Sequence, residues 1–107
     1  MDKTINKIAD HYGYEPQSMQ LIEEMAELTV AINKYRRFVS KGVNNAVNNI
    51  LQAEFLLNNI IEEIADVEIM LEQIKHLIDS NNDVAKVKEL KIARQIERIE
   101  KESEQNE

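Results

Sequence analysis

Leu21-Ile22-Glu23-Glu24-Met25-Ala26-Glu27 returns 39 residues later as Ile60-Ile61-Glu62-Glu63-Ile64-Ala65-Asp66, apolar on apolar and acid on acid. Around the first copy, Leu21, Met25, Leu28, Ile32, Tyr35 and Val39 alternate spacings of four and three. Around the second, Ile50, Ala53, Leu57, Ile60, Ile64, Val67, Leu71, Ile74 and Ile78 do the same. That period is the seam of a packed helix, so the repeat predicts two long helices. At about 100° per residue, Glu24 and Glu63 border the seams, with Glu27 and Asp66 one turn later on the same flank. If the helices pack antiparallel, the acidic pairs come level only when the turn is centred near Asn45. Gly42, Asn44, Asn45, Asn48 and Asn49 cluster between Ser40 and Asn49 and supply that turn.

Outward from this hairpin the pattern stays helical. Ile5, Ile8, Ala9 and Tyr12 predict a short first helix from about Asp2 to Tyr12, stopped by Gly13, and Pro16 suits the first turn of the next. Ser80, Asn81, Asn82 and Asp83 form a turn and N-cap for a last helix. Its stripe of Val84, Val87, Leu90, Ala93, Ile96 and Ile99 is thinner, and its acidic tail is expected to fray from about residue 102. The 107 residues hold only two Gly, one Pro and no Trp. The expectation is one all-α domain over residues 1–107, an antiparallel bundle of about four helices completed by oligomerisation, because so short a chain buries little by itself.

Composition removes several functions. A net charge of −7 opposes binding to nucleic-acid polymers and anionic membranes. Without cysteine there is no disulfide, thiolate nucleophile or zinc-thiolate site. The N-terminus lacks the apolar core of a signal peptide and no stretch reaches membrane-spanning length, so a cytoplasmic location is expected.

The acids need neutralising. No Lys or Arg lies between Lys7 and Lys34, or between Lys41 and Lys75, and the like charges Glu23/Glu27 and Glu62/Asp66 stand four apart. Such pairs destabilise a helix by roughly 0.2–0.5 kcal/mol each. A single Glu-Glu-x-x-Glu is usually a solvated face. Two in register beside apolar seams point to a hard divalent cation with oxygen ligands, and magnesium leaves positions free for water and phosphate.

Glu23-Glu24-x-x-Glu27 followed by Glu63-x-x-Asp66 resembles the signature of the MazG-like all-α nucleoside triphosphate pyrophosphohydrolases. The resemblance runs from about Gln17 through His76 and more weakly to Lys91–Ile99; the stretch between Glu27 and Glu63 is longer than in many members. It implies hydrolysis of a nucleoside or deoxynucleoside triphosphate between the α and β phosphates, with Mg2+ (or Mn2+) held by Glu24, Glu27, Glu63 and Asp66. Glu23 and Glu62, next to those ligands, are candidates to orient or deprotonate the attacking water, or are surface charges. Gln17 and Gln20 share the acidic side of their helix and are candidates to bond a base or a metal-bound water, or lie exposed. Lys34 and the basic stripe Lys91, Arg94 and Arg98 are candidates for phosphate contacts, or a solubilising face. His11 and His76 have no partner motif, and the absence of Glu-x-x-His argues against a di-iron carboxylate site. Two other readings stand beside this one: a non-enzymatic helical oligomer with solvated acids, and a pyrophosphohydrolase acting on a nucleotide-like metabolite such as phosphoribosyl-ATP.

Overall fold

A computed structural model describes residues 3–42 and 47–105. They form four helices and no strand: α1 (Lys3–Tyr12), α2 (Tyr14–Ser40), α3 (Val47–Leu77) and α4 (Asn81–Gln105). The all-α expectation holds. Long α2 and α3 make an extensive hairpin, α1 packs against both, and α4 touches only α3.

Helix boundaries follow local chemistry. Gly13 joins α1 to α2 with φ +85° and ψ 175°, a conformation open in practice only to glycine. Pro16 falls in the first turn of α2, where a missing N–H costs nothing. Gly42, at φ +80°, gives its N–H to the Val39 carbonyl and ends α2. At the end of α3, Asp79 takes the left-handed conformation, φ 50°. Its N–H reaches the His76 carbonyl and that of Ser80 reaches Lys75, the paired bonds of a Schellman ending.

Two boundaries differ from expectation. Helix α3 begins at Val47, so Asn48 and Asn49 open the helix instead of forming the turn. Asparagine is tolerated in a first turn, where the N–H groups have no intrahelical partner in any case. Asn44 and Asn45 lie outside the described residues. Helix α4 runs on to Gln105, past residue 102.

The larger departure is rotational. The inward face of α2 is Gln17, Leu21, Glu24, Leu28, Ala31, Tyr35 and Phe38, while Met25, Ile32 and Val39 of the expected seam are exposed. On α3 the inward face takes Leu56, Glu63, Met70 and Leu77 in place of Leu57, Ile64, Leu71 and Ile78, which are exposed. Both helices are turned by roughly 50° from the most apolar choice, in the same sense. Glu24 and Glu63 therefore enter the interface, where sequence spacing had them only bordering it.

The core is correspondingly thin. Ala9, Ala31, Leu56, Val67 and Met70 are its buried apolar residues, and α4 has none. The radius of gyration is 18.7 Å, against about 13 Å for a compact domain of this length. The excess reflects a last helix that leaves the hairpin, with Val87, Leu90, Ile92, Ile96 and Ile99 exposed. No helix among the described residues is long and apolar enough to cross a membrane.

Candidate metal centre

Antiparallel pairing of α2 and α3 lines polar side chains along one flank, interrupted on α3 by Met70. Gln17 meets Gln73, and then Gln20, Glu24 and Glu27 rise on α2 as Met70, Asp66 and Glu63 descend on α3. The heptad step carries this ladder: residues seven apart keep the same side of a helix. At its centre Glu24, Glu63 and Asp66 each offer a carboxylate oxygen, all within 4.8 Å of one another. Glu27 stands outside that group, exposed, yet close enough for its charge to act on Glu63. Three of the four expected ligands are thus gathered, and the fourth is adjacent.

The oxygens at the centre are not neutralised by protein groups. Glu24 Oε1 accepts a 2.8 Å hydrogen bond from Gln20 Nε2. Glu24 Oε2 and Glu63 Oε2, both shielded from solvent, accept none. Among the described residues no ion pair involves any of the four acids; the pairs are Lys75–Glu72, His76–Asp10 and Lys101–Glu97. Buried polar atoms are nearly always satisfied, so two shielded carboxylate oxygens without a protein donor set this layer apart from the rest of the interface. The donor set, three close carboxylates with a fourth beside them and no nitrogen or sulfur, fits a hard divalent cation.

Electrostatics agrees with the geometry. Loss of surrounding water, then a hydrogen bond in which the protonated Glu63 carboxyl is shared with Glu24, then the charges of Glu27, Glu24 and Asp66 push the Glu63 carboxyl up to about 7, so the layer closes partly on a proton when no cation is bound. Asp66 is raised as well, first by lost hydration, next by the charge and contact of Glu24, and last by Glu62. Both shifts arise first from lost hydration and only then from the neighbouring carboxylates.

The other sequence candidates are dispersed. Glu23 and Glu62 are exposed, and Glu62 lies near enough to Asp66 for its charge to be felt there. Gln20 is committed to Glu24. Gln17 faces inward: its Nε2 donates to Gln73 Oε1 at 2.7 Å, so its amide is engaged inside the protein. Lys34 is exposed on α2. Lys91, Arg94 and Arg98 are exposed on α4, which makes no contact with α2, so the single chain does not bring them to the acids. His76 bonds Asp10 at 2.8 Å and ties α3 to α1. Sequence reading missed Gln73, only 2% exposed; its signal is a position one heptad beyond Asp66. A groove of about 800 Å³ between α1, α3 and α4, lined by Ile5, Ile69, Ile74 and Val84, opens on the opposite face of α3.

No protein-family model, no curated protein and no solved structure matches this chain.

Proposed function

We propose that this chain is a magnesium-dependent pyrophosphohydrolase of the MazG-like type, converting a nucleoside or deoxynucleoside triphosphate and water to the monophosphate and pyrophosphate. The observation that carries the reading is the pair of shielded, unpartnered oxygens of Glu24 and Glu63, level with Asp66 and without a protein cation. Glu24, Glu63 and Asp66, with Glu27 beside them, would hold Mg2+, or Mn2+ in its place. Once bound, that ion neutralises phosphate oxygens and lowers the charge barrier to hydrolysis.

The chain's own residues supply positioning and proton handling. Gln20 fixes the rotamer of Glu24 through Oε1. Glu62, whose charge is felt at Asp66, and Glu23, next to Glu24 in sequence, are the candidates to orient water and take its proton, the alternative being surface charges. No covalent nucleophile is required, because phosphoanhydride cleavage depends chiefly on alignment and charge. Lys34, Lys91, Arg94 and Arg98 are the available phosphate partners, the last three only across an interface between copies. A homo-oligomer, dimer or tetramer, is part of the proposal. Its support is the exposed apolar stripe of Met25, Ile32 and Val39 on α2 and Ile64, Leu71 and Ile78 on α3.

The same stripe favours a second reading, a non-enzymatic oligomeric scaffold with solvated acids. One experiment separates the two. The protein is incubated with a panel of NTPs, dNTPs and phosphoribosyl-ATP, with Mg2+ or with EDTA, and products are identified. Pyrophosphate appearing only with Mg2+ supports the enzyme, and the panel identifies the substrate. No release from any nucleotide supports the scaffold.

A further inference from the structure

The hairpin helices each carry two overlapping faces, and the more apolar one is the one left exposed. Leu21, Leu28 and Tyr35 on α2, and Ala53, Ile60, Val67 and Ile74 on α3, belong to either face. What differs is the accompanying residues. One face adds Met25, Ile32 and Val39 against Leu57, Ile64 and Leu71, all of them left exposed here. The other adds Gln17, Glu24, Ala31 and Phe38 against Leu56, Glu63, Met70, Gln73 and Leu77. The observed face is the more polar, so apolar burial between α2 and α3 does not by itself account for it; α1 packs on both helices, and polar contacts cross the interface.

The Gln17–Gln73 contact is one of these. It joins residues 56 apart in sequence and crosses the interface between α2 and α3. Gln73 is nearly enclosed, and its Nε2 also leans on the Met70 sulfur at 3.5 Å. A buried amide is satisfied in one register only, whereas apolar seams accept several, and a polar pair at a seam position is a known means of fixing register. One heptad forward on α2 and one heptad back on α3 from this pair lie Glu24 and Asp66. A slip of one turn displaces one helix by about 5 Å along the other, enough to dissolve a carboxylate group only 4.8 Å across.

We propose that the Gln17–Gln73 pair is a register pin, a positioning device that holds α2 and α3 so that Glu24, Glu63 and Asp66 stand level. Its purpose, though not its existence, rests on the reading of that cluster as a cation site.

The test uses the chain's lack of cysteine. Cysteines placed at exposed Met19 and Leu51, near the starts of α2 and α3, are spin-labelled and the distance between them is measured in EDTA, with labelled protein diluted in unlabelled. The double variant Gln17→Leu/Gln73→Leu removes both amides and leaves no orphan, so the helices still form, as circular dichroism will show. The expected result is one narrow distance for the parent pairing and a shift of about 5 Å, or a spread over two registers, in the double variant. Gln73→Glu keeps an oxygen for Gln17 Nε2 and retains the parent distance. Mn2+ affinity, titrated in parallel, falls at least tenfold in the double variant and not in Gln73→Glu. An unchanged distance in the double variant overturns the pin. A shifted distance in a protein that binds no Mn2+ even with both glutamines upholds the pin and removes the metal reading instead.

Discussion

Two polar layers sit in the same helix interface, seven residues apart, and they are opposites. At Gln17–Gln73 the buried amides bond each other and the layer is closed. At Glu24–Glu63–Asp66 two shielded oxygens have no donor and the charges repel. Polarity that is satisfied within the chain can serve structure alone, at a modest cost relative to an apolar pair. Polarity left unsatisfied costs stability, and on the proposed reading a bound cation offsets that cost.

Replacing one carboxylate should have the largest effect. Glu63→Gln or Asp66→Asn is expected to lower pyrophosphohydrolase turnover by about 10²–10³-fold, the scale of losing one preorganised electrostatic group. Helical content should stay unchanged by circular dichroism. Equal turnover in both variants would remove these residues from the metal site.

Next in size is the effect of metal on the open layer. Mg2+ at 100 times its dissociation constant should stabilise the fold by about 2.7 kcal/mol, read as a higher Tm than in EDTA. Glu63→Gln should reverse the sign of its own effect between the two conditions. In EDTA it relieves repulsion and raises Tm, and with Mg2+ it lowers Tm. A melt that responds to neither metal nor substitution would make the two layers equivalent.

The closed layer should behave in the contrary way. Gln73→Leu alone orphans the Gln17 amide and should cost about 1–3 kcal/mol in chemical denaturation, with or without metal. Adding Gln17→Leu should recover most of that loss. If the double variant remains as unstable as the single one, the cost lies in packing around the leucines.

The smallest effect is on pH. Glu63 titrates near 7 in the fold against an ordinary 4.5, so between those values the native state binds more protons than the unfolded chain. Its contribution to the stability of the metal-free protein is therefore fully present below pH 4.5 and is lost as pH rises through about 7. The raised Asp66 acts in the same direction. Saturating Mg2+ should flatten this slope, which denaturation at pH 5, 6 and 7 in EDTA or in Mg2+ will measure.

The contrast between layers also explains what could be read from the residues alone. Four helices, the hairpin and a register centred near Asn45 follow from the acidic repeat and the Gly42–Asn49 turn signal, because period and turn chemistry are local properties. The rotation of the hairpin does not follow. Met25, Ile32 and Val39 are more apolar than Glu24, Ala31 and Phe38 taken together, so a search for the most apolar seam passes over the acidic face. What decides the matter is a bond between Gln17 and Gln73, distant in sequence and silent in any local pattern. Likewise, a stripe of Leu90, Ile96 and Ile99 marks α4 as a helix without saying that the single chain leaves it uncovered.

The central claim is that the open layer takes a divalent cation, and calorimetric titration of Mn2+ into protein stripped with EDTA, at pH 7, tests it most directly. Saturable binding accompanied by proton release is expected, weakened at least tenfold by Glu63→Gln and by Asp66→Asn. Absence of binding, or equal affinity in the parent and both variants, would contradict it.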